Sequence, residues 1–180
     1  TSMKCLLGLL KYQKGEIQVF SKPHMSQDVK KEIGYLPERP FFYNYLTAFE
    51  FLKFYGQLSG IHRKKDLEMR IDFLLELVGL THAKDLYLKQ FSKGMLQRVG
   101  MAQALIHKPR LLILDEPLSG LDPDGRRQLV KIIQDTYSEE KTTIFFSSHL
   151  LDDIDRLCQG LVVIRKGEIK FSGDKKDFVR

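Results

Sequence analysis

The stretch from Phe91 to Asp122, FSKGMLQRVGMAQALIHKPRLLILDEPLSGLD, constrains the fold more than any other part of the chain. Ser92 is a good N-cap, and Met95, Val99, Ala102 and Ile106 follow it on one helical face. The helix ends at Lys108-Pro109, because proline cannot continue a helix and restricts the residue before it. Leu111 to Leu114 is short and wholly apolar, as expected of a parallel strand covered on both faces. Asp115 and Glu116 close it. Ligands of open α/β sheets bind at the carboxyl ends of the strands, so this strand delivers two carboxylates to the expected site.

Each piece is common by itself, but their order and spacing are specific. Together they resemble the ATP-binding-cassette (ABC) family of ATPases. Ser92-Lys93-Gly94-Met95 stands where that family has its signature Ser-Gly-Gly-Gln, Leu111 to Glu116 matches the Walker B strand, and Ser119-Gly120-Leu121-Asp122 matches the D-loop.

A chain of 180 residues suits one ordinary domain, and 43% hydrophobic against 29% charged residues gives it a sizeable core. No apolar run is long enough to span a bilayer. The net charge of +6 reads as a solvated surface rather than a nucleic-acid face. Cys5 and Cys158 have no zinc-like spacing. The chain contains no Gly-Lys dipeptide, so it holds no complete GxxxxGK[ST] phosphate loop.

Taken in order, Met3, Leu6, Leu7 and Leu10 predict an opening helix that ends before Gly15. Residues 16–20 predict a short strand, 26–32 a short helix or loop, and Ile33 to Leu36 a buried strand ended by Pro37. Phe41, Phe42, Tyr43 and Tyr45 either pack into the domain's own core or form an exposed patch for a partner helix. Thr47-Ala48-Phe49-Glu50 is a capping box that starts a helix. A second helix spans 63–78 with Gly79 as its stop, and a short third one covers 83–89. After Asp122-Pro123 come a helix, a strand over 142–146, a helix over 150–157 and a strand pair around Arg165-Lys166-Gly167. Strands and helices alternate, which argues for a layered α/β fold.

The resemblance implies a P-loop NTPase (ABC ATPase) three-layer α/β fold. Residues 1–45 and 99–180 would form a RecA-like core, and 46–98 an α-helical subdomain that presents the signature. It further implies that the N-terminal strands and phosphate loop are missing, since Thr1-Ser2-Met3-Lys4 resembles the residues directly after the loop's Gly-Lys. That loss would leave an unpaired sheet edge and a marginally stable chain. The cofactors implied are ATP and Mg²⁺. Asp115 would hold Mg²⁺, Glu116 would be the general base, and His149, after Phe-Phe-Ser-Ser, matches the switch histidine. Glu38 stands where the Q-loop has its glutamine, and is also expected near the metal. Thr1, Ser2, Ser92, Lys93 and Gly94 would contact nucleotide, with Ser119 to Asp122 at a dimer interface. Lys93 and Met95 replace a glycine and a glutamine of the signature, and with Leu-Pro-Glu resemble ATPase subunits of ABC-2-type exporters.

The implied partners are a second ABC ATPase subunit and a membrane permease received near Arg39 to Tyr45, with no nucleic acid. The implied location is cytoplasmic, peripheral on the inner face of the cell membrane. Two other readings compete: a soluble ABC ATPase acting on nucleic acid, and a non-catalytic docking fragment.

Overall fold

The computed structural model describes residues 1–139 and 141–178. They fall into two compact units, Thr1–Ser147 and Ser148–Arg180.

The first unit opens with α1 (Ser2–Leu6), far shorter than the spacing predicts. Gly8 takes a φ of +71° and ends it, leaving Met3 buried and Leu10 in solvent. The strand expected over 16–20 shrinks to β1 (Gln18–Val19), paired antiparallel with β2 (Lys22–Pro23). Phe20 and Ser21, both left-handed, make the turn between them. α2 (Gln27–Lys31) is capped by Ser26, whose hydroxyl accepts the Val29 N–H. β3 (Ile33–Leu36) then enters the main sheet.

α3 (Ala48–Leu58) begins with the capping box read from the sequence: the Thr47 hydroxyl accepts the Glu50 N–H, and the Glu50 carboxylate accepts the Thr47 N–H. α4 (Lys64–Leu77) buries Leu67, Ile71, Leu74 and Leu75, and Gly79 follows at φ +64°. No helix covers 83–89. Two 3₁₀ turns, Thr81–Ala83 and Leu88–Gln90, stand there instead. Backbone groups of this stretch are used across the chain, Leu88 N–H on Leu46 O and Ala48 N–H on Leu86 O, and so are unavailable to a helix.

α5 (Lys93–Leu105) is capped by Ser92, as expected. The buried Arg70 of α4 donates to Leu105 O (2.7 Å) and Ile106 O (3.4 Å), satisfying carbonyls that the end of α5 leaves open. β4 (Leu111–Leu114) lies between β3 and β5 (Thr143–Phe146) in a parallel sheet, with α6 (Pro123–Glu139) between β4 and β5 in the chain. Leu112, Ile113 and Leu114 are fully buried, as expected of the wholly apolar strand read from the sequence, and the sheet order places it in the middle. α5 packs so closely on β3 that a Cβ at Gly34 would run into Ala104 O. β5 is an edge of this sheet among the described residues, and Phe145 on it is exposed.

The second unit holds α7 (Leu151–Leu157), an antiparallel pair β6 (Gly160–Arg165) and β7 (Glu168–Asp174), and α8 (Lys175–Phe178). Lys166 and Gly167, both at positive φ, form the hairpin turn expected at that place. Among the described residues no helix is long and apolar enough to cross a membrane.

Candidate functional site

The parallel register of β3, β4 and β5 aligns their carboxyl ends, where Asp115, Glu116 and Ser147 stand together. Leu114 stands opposite both Leu36 and Phe146. The ladder continues one residue further: Asp115 N–H bonds to Leu36 O (2.9 Å) and Ser147 N–H to Leu114 O (3.0 Å). Asp115, Glu116 and Ser147 are all half-buried at this end, and Glu38 follows Pro37 in solvent beyond β3.

One hydroxyl joins the two acids. Ser147 Oγ donates to Asp115 Oδ1 (3.0 Å) and accepts the Glu116 N–H (2.9 Å). Glu116 itself has a φ of +49°, a left-handed backbone that costs a non-glycine residue about 1–2 kcal/mol. From the opposite side the buried Gln97 of α5 donates Nε2–H to Pro117 O (3.0 Å). Tyr35 of β3 senses the same place: burial, and secondarily the Asp115 charge, pushes its hydroxyl above the ordinary tyrosine value.

At the start of α5, Ser92 Oγ accepts the Met95 N–H (3.3 Å), while Ser92 and Lys93 are exposed and Gly94 half-buried. The Lys93 ammonium lies where a Cβ on Gly120 would sit, so this signature residue rests on the residues expected to form the D-loop. Gly120, at φ +64°, meets both needs of that spot, the left-handed backbone and the absent side chain. Asp122 Oδ1 accepts Gly125 N–H (2.9 Å) and caps α6, as Asp122-Pro123 predicts. Arg98 donates to Val78 O (3.0 Å) and Gly79 O (3.3 Å), joining α5 to the end of α4. Thr1 and Ser2 lie at the start of α1, with Thr1 O accepting Cys5 N–H. His149 is an exposed residue of the second unit, where Ser148 Oγ donates to the buried Asp153 (2.9 Å) and accepts Leu150 N–H.

The aromatic run divides between the two readings of it. Phe42 packs on Phe51 (5.4 Å between centroids) and Tyr43 edge-on against Phe54 (5.8 Å), whereas Phe41 and Tyr45 are 78% and 71% exposed.

Among the described residues no cluster of three or more His, Cys, Asp or Glu side chains is arranged to hold a metal by itself. Magnesium asks for less. It keeps several waters and binds through one or two carboxylates plus substrate phosphates, which Asp115 and Glu116 fit. Sequence reasoning singled out these acids but missed Ser147 and Gln97 as their supports, and Arg98 as the tie between α5 and α4. The strand-end position of Ser147 and the Gln97-Arg98 pair beside the signature were the available signals.

This parallel sheet, with paired acids at the end of its middle strand, is consistent with a P-loop NTPase α/β fold, and the comparisons agree. The family profile described as ABC transporter matches residues 1–119. The chain belongs to the ABC transporter family. It is 46% identical over 175 residues to an uncharacterised ABC transporter ATP-binding protein of Synechocystis sp., covering 96% of this chain and 49% of that protein. It is 40% identical over 171 residues to the bacitracin transport ATP-binding protein BcrA of Bacillus licheniformis, covering 94% of this chain and 55% of that one. The chain thus spans about half the length of the curated relatives it matches. Among solved structures, the ATP-binding subunit of an ABC transporter superposes with a TM-score of 0.83 at 27% identity, over 98% of this chain and 73% of that one. CbiO1 from Clostridium perfringens, part of the ABC transporter complex cbiONQ, gives 0.84 at 26%, over 99% and 73%.

Proposed function

We propose that this chain is part of the nucleotide-binding subunit of an ABC transporter, which binds and hydrolyses ATP at an interface between two such subunits. The observation that carries the reading is the pair Asp115–Glu116, held side by side at the carboxyl end of the central strand. Mg²⁺, when bound, would neutralise charge on the β- and γ-phosphate oxygens. Asp115 would hold that ion, and Glu38, just beyond β3, would contribute beside it. Glu116 takes a proton from the attacking water as its oxygen bonds to the γ-phosphorus and the bond to the ADP oxygen breaks. Thr1 and Ser2 lie beside the phosphates.

Ser92, Lys93 and Gly94 bind the phosphates of nucleotide held by the partner subunit, where free amides and a cation favour an anion. Ser119 to Asp122 line the same interface. Residues 46–98 form a helical subdomain that carries the signature against a core of 1–45 and 99–180. The exposed rings of Phe41 and Tyr45 receive a helix of the permease. The subunit then works in the cytoplasm, peripheral on the inner face of the membrane.

One observation favours a second reading for the 180 residues alone. They contain no Gly-Lys pair, so the amides and lysine that cradle β- and γ-phosphates are not among them. By itself this chain would dock without hydrolysing.

The deciding experiment measures Mg²⁺-dependent ATP hydrolysis by the full-length protein, its Glu116→Gln variant and this 180-residue chain. The expected result is activity in the first, a loss of about 10²–10⁴-fold in kcat in the second and none in the third. Full activity in Glu116→Gln would remove the assigned base, and an inactive full-length protein would leave the docking reading.

A further inference from the structure

We infer that Ser147 is a positioning residue for hydrolysis, a single hydroxyl that locks Asp115 and Glu116 into their working arrangement. This rests on the ATPase reading above. In a continued strand, Asp115 and Glu116 would point to opposite faces of the sheet. The left-handed backbone at Glu116 ends that alternation, and such a conformation persists only where its surroundings hold it.

Ser147 supplies the hold. Its hydroxyl has one proton and two lone pairs, so it can donate to Asp115 Oδ1 and accept the Glu116 N–H at the same time. The donated bond fixes the carboxylate rotamer of Asp115. The accepted one satisfies the amide of the very residue whose backbone is strained. Ser147 is in turn fixed by its own N–H on Leu114 O, so its place is set by the β4–β5 register and not by a flexible loop. One strand thereby presents the acids and its neighbour sets their geometry. A residue with Cβ substituents but no hydroxyl fits the space without making either bond, whereas threonine retains both.

The test uses the full-length protein with Ser147→Ala, Ser147→Val and Ser147→Thr. Hydrogen exchange of the Glu116 amide, read on a peptide spanning 115–119, reports the clamp without reference to turnover. Exchange in the Ala and Val variants is expected to rise roughly tenfold, from loss of about one hydrogen bond. Exchange in the Thr variant should stay near wild type. Turnover should fall roughly 10–100-fold in kcat for Ala and Val, with KM for ATP within about threefold, and return in Thr. A merely structural serine would lower stability without that split between kcat and KM. Unchanged Glu116 exchange in Ser147→Ala, or equal turnover in the Val and Thr variants, would overturn the assignment. If the wild-type protein proves not to hydrolyse ATP, the ATPase reading fails while the exchange result still decides whether the clamp exists. Exchange at Ile113 and Phe145 serves as the folding control.

Discussion

The acid turn at Asp115–Pro117 and the signature turn at Ser92–Gly94 lie on the same unit and are built on opposite plans. The acid turn is held by Leu36 O on β3, by Ser147 just past β5 and by Gln97 on α5. The turn at Ser92–Gly94 is held mainly by its own helix, through the cap of Ser92 on Met95 N–H and Arg98 on Gly94 O, with Ser92 and Lys93 exposed and Lys93 resting against Gly120. The difference follows from what each turn is proposed to do. Acids that hold a metal and a water within one chain gain from rigid placement, because small displacements cost rate steeply. A turn that closes on another subunit's nucleotide must first be open to it.

Substitutions at the two turns can break this contrast. The largest effect is expected for Gln97→Leu, which leaves Pro117 O buried without its donor. About 1–3 kcal/mol of stability should be lost in denaturant titration, with reduced turnover in the full-length protein. A loss no greater than at an exposed position would mean that α5 does not anchor the acids. Ser92→Ala should cost less, about 1 kcal/mol through the lost cap, because the turn has few other ties. Its stronger consequence is expected in ATP-driven association of two subunits, read by sedimentation. Normal association would move the signature turn out of the interface.

The smallest expected effect is a pH dependence that spares the contrast altogether. His107 bonds to Ile33 O (3.1 Å) at the opposite end of the sheet from the acids. Burial pushes its imidazole below the ordinary 6.5, with Arg70 acting the same way and the Ile33 bond and Glu32 opposing. The unfolded chain therefore binds more protons between the lowered value and 6.5, so stability falls as pH drops through that window. His107→Gln should flatten this slope in thermal melts at pH 5 to 7 (about the span in which histidines titrate). An unchanged slope would assign it to other groups.

Much of this arrangement was legible in the sequence, and what escaped was non-local. Capping at Thr47, Ser92 and Asp122 is decided within three or four residues, and all three caps were read correctly. The apolar run of β4 announced its own burial. The third helix over 83–89 failed because its backbone pairs with residues near 46–48, a choice no local propensity records. The opening helix failed at Gly8, whose left-handed turn overrode four well-spaced apolar residues. The aromatic run stayed ambiguous because exposure of adjacent rings depends on where α3 lies beneath them.

The sequence by itself determined the family, the buried apolar strand and the identity of its two acids, because these depend on residue types in a fixed local order. Only the tertiary structure decided that Ser147, 31 residues beyond Glu116, and Gln97 on a separate helix hold those acids in place. The reason is register. Which side chain stands beside which at the carboxyl end of the sheet is set by how three strands align, and that alignment is a property of the assembled sheet.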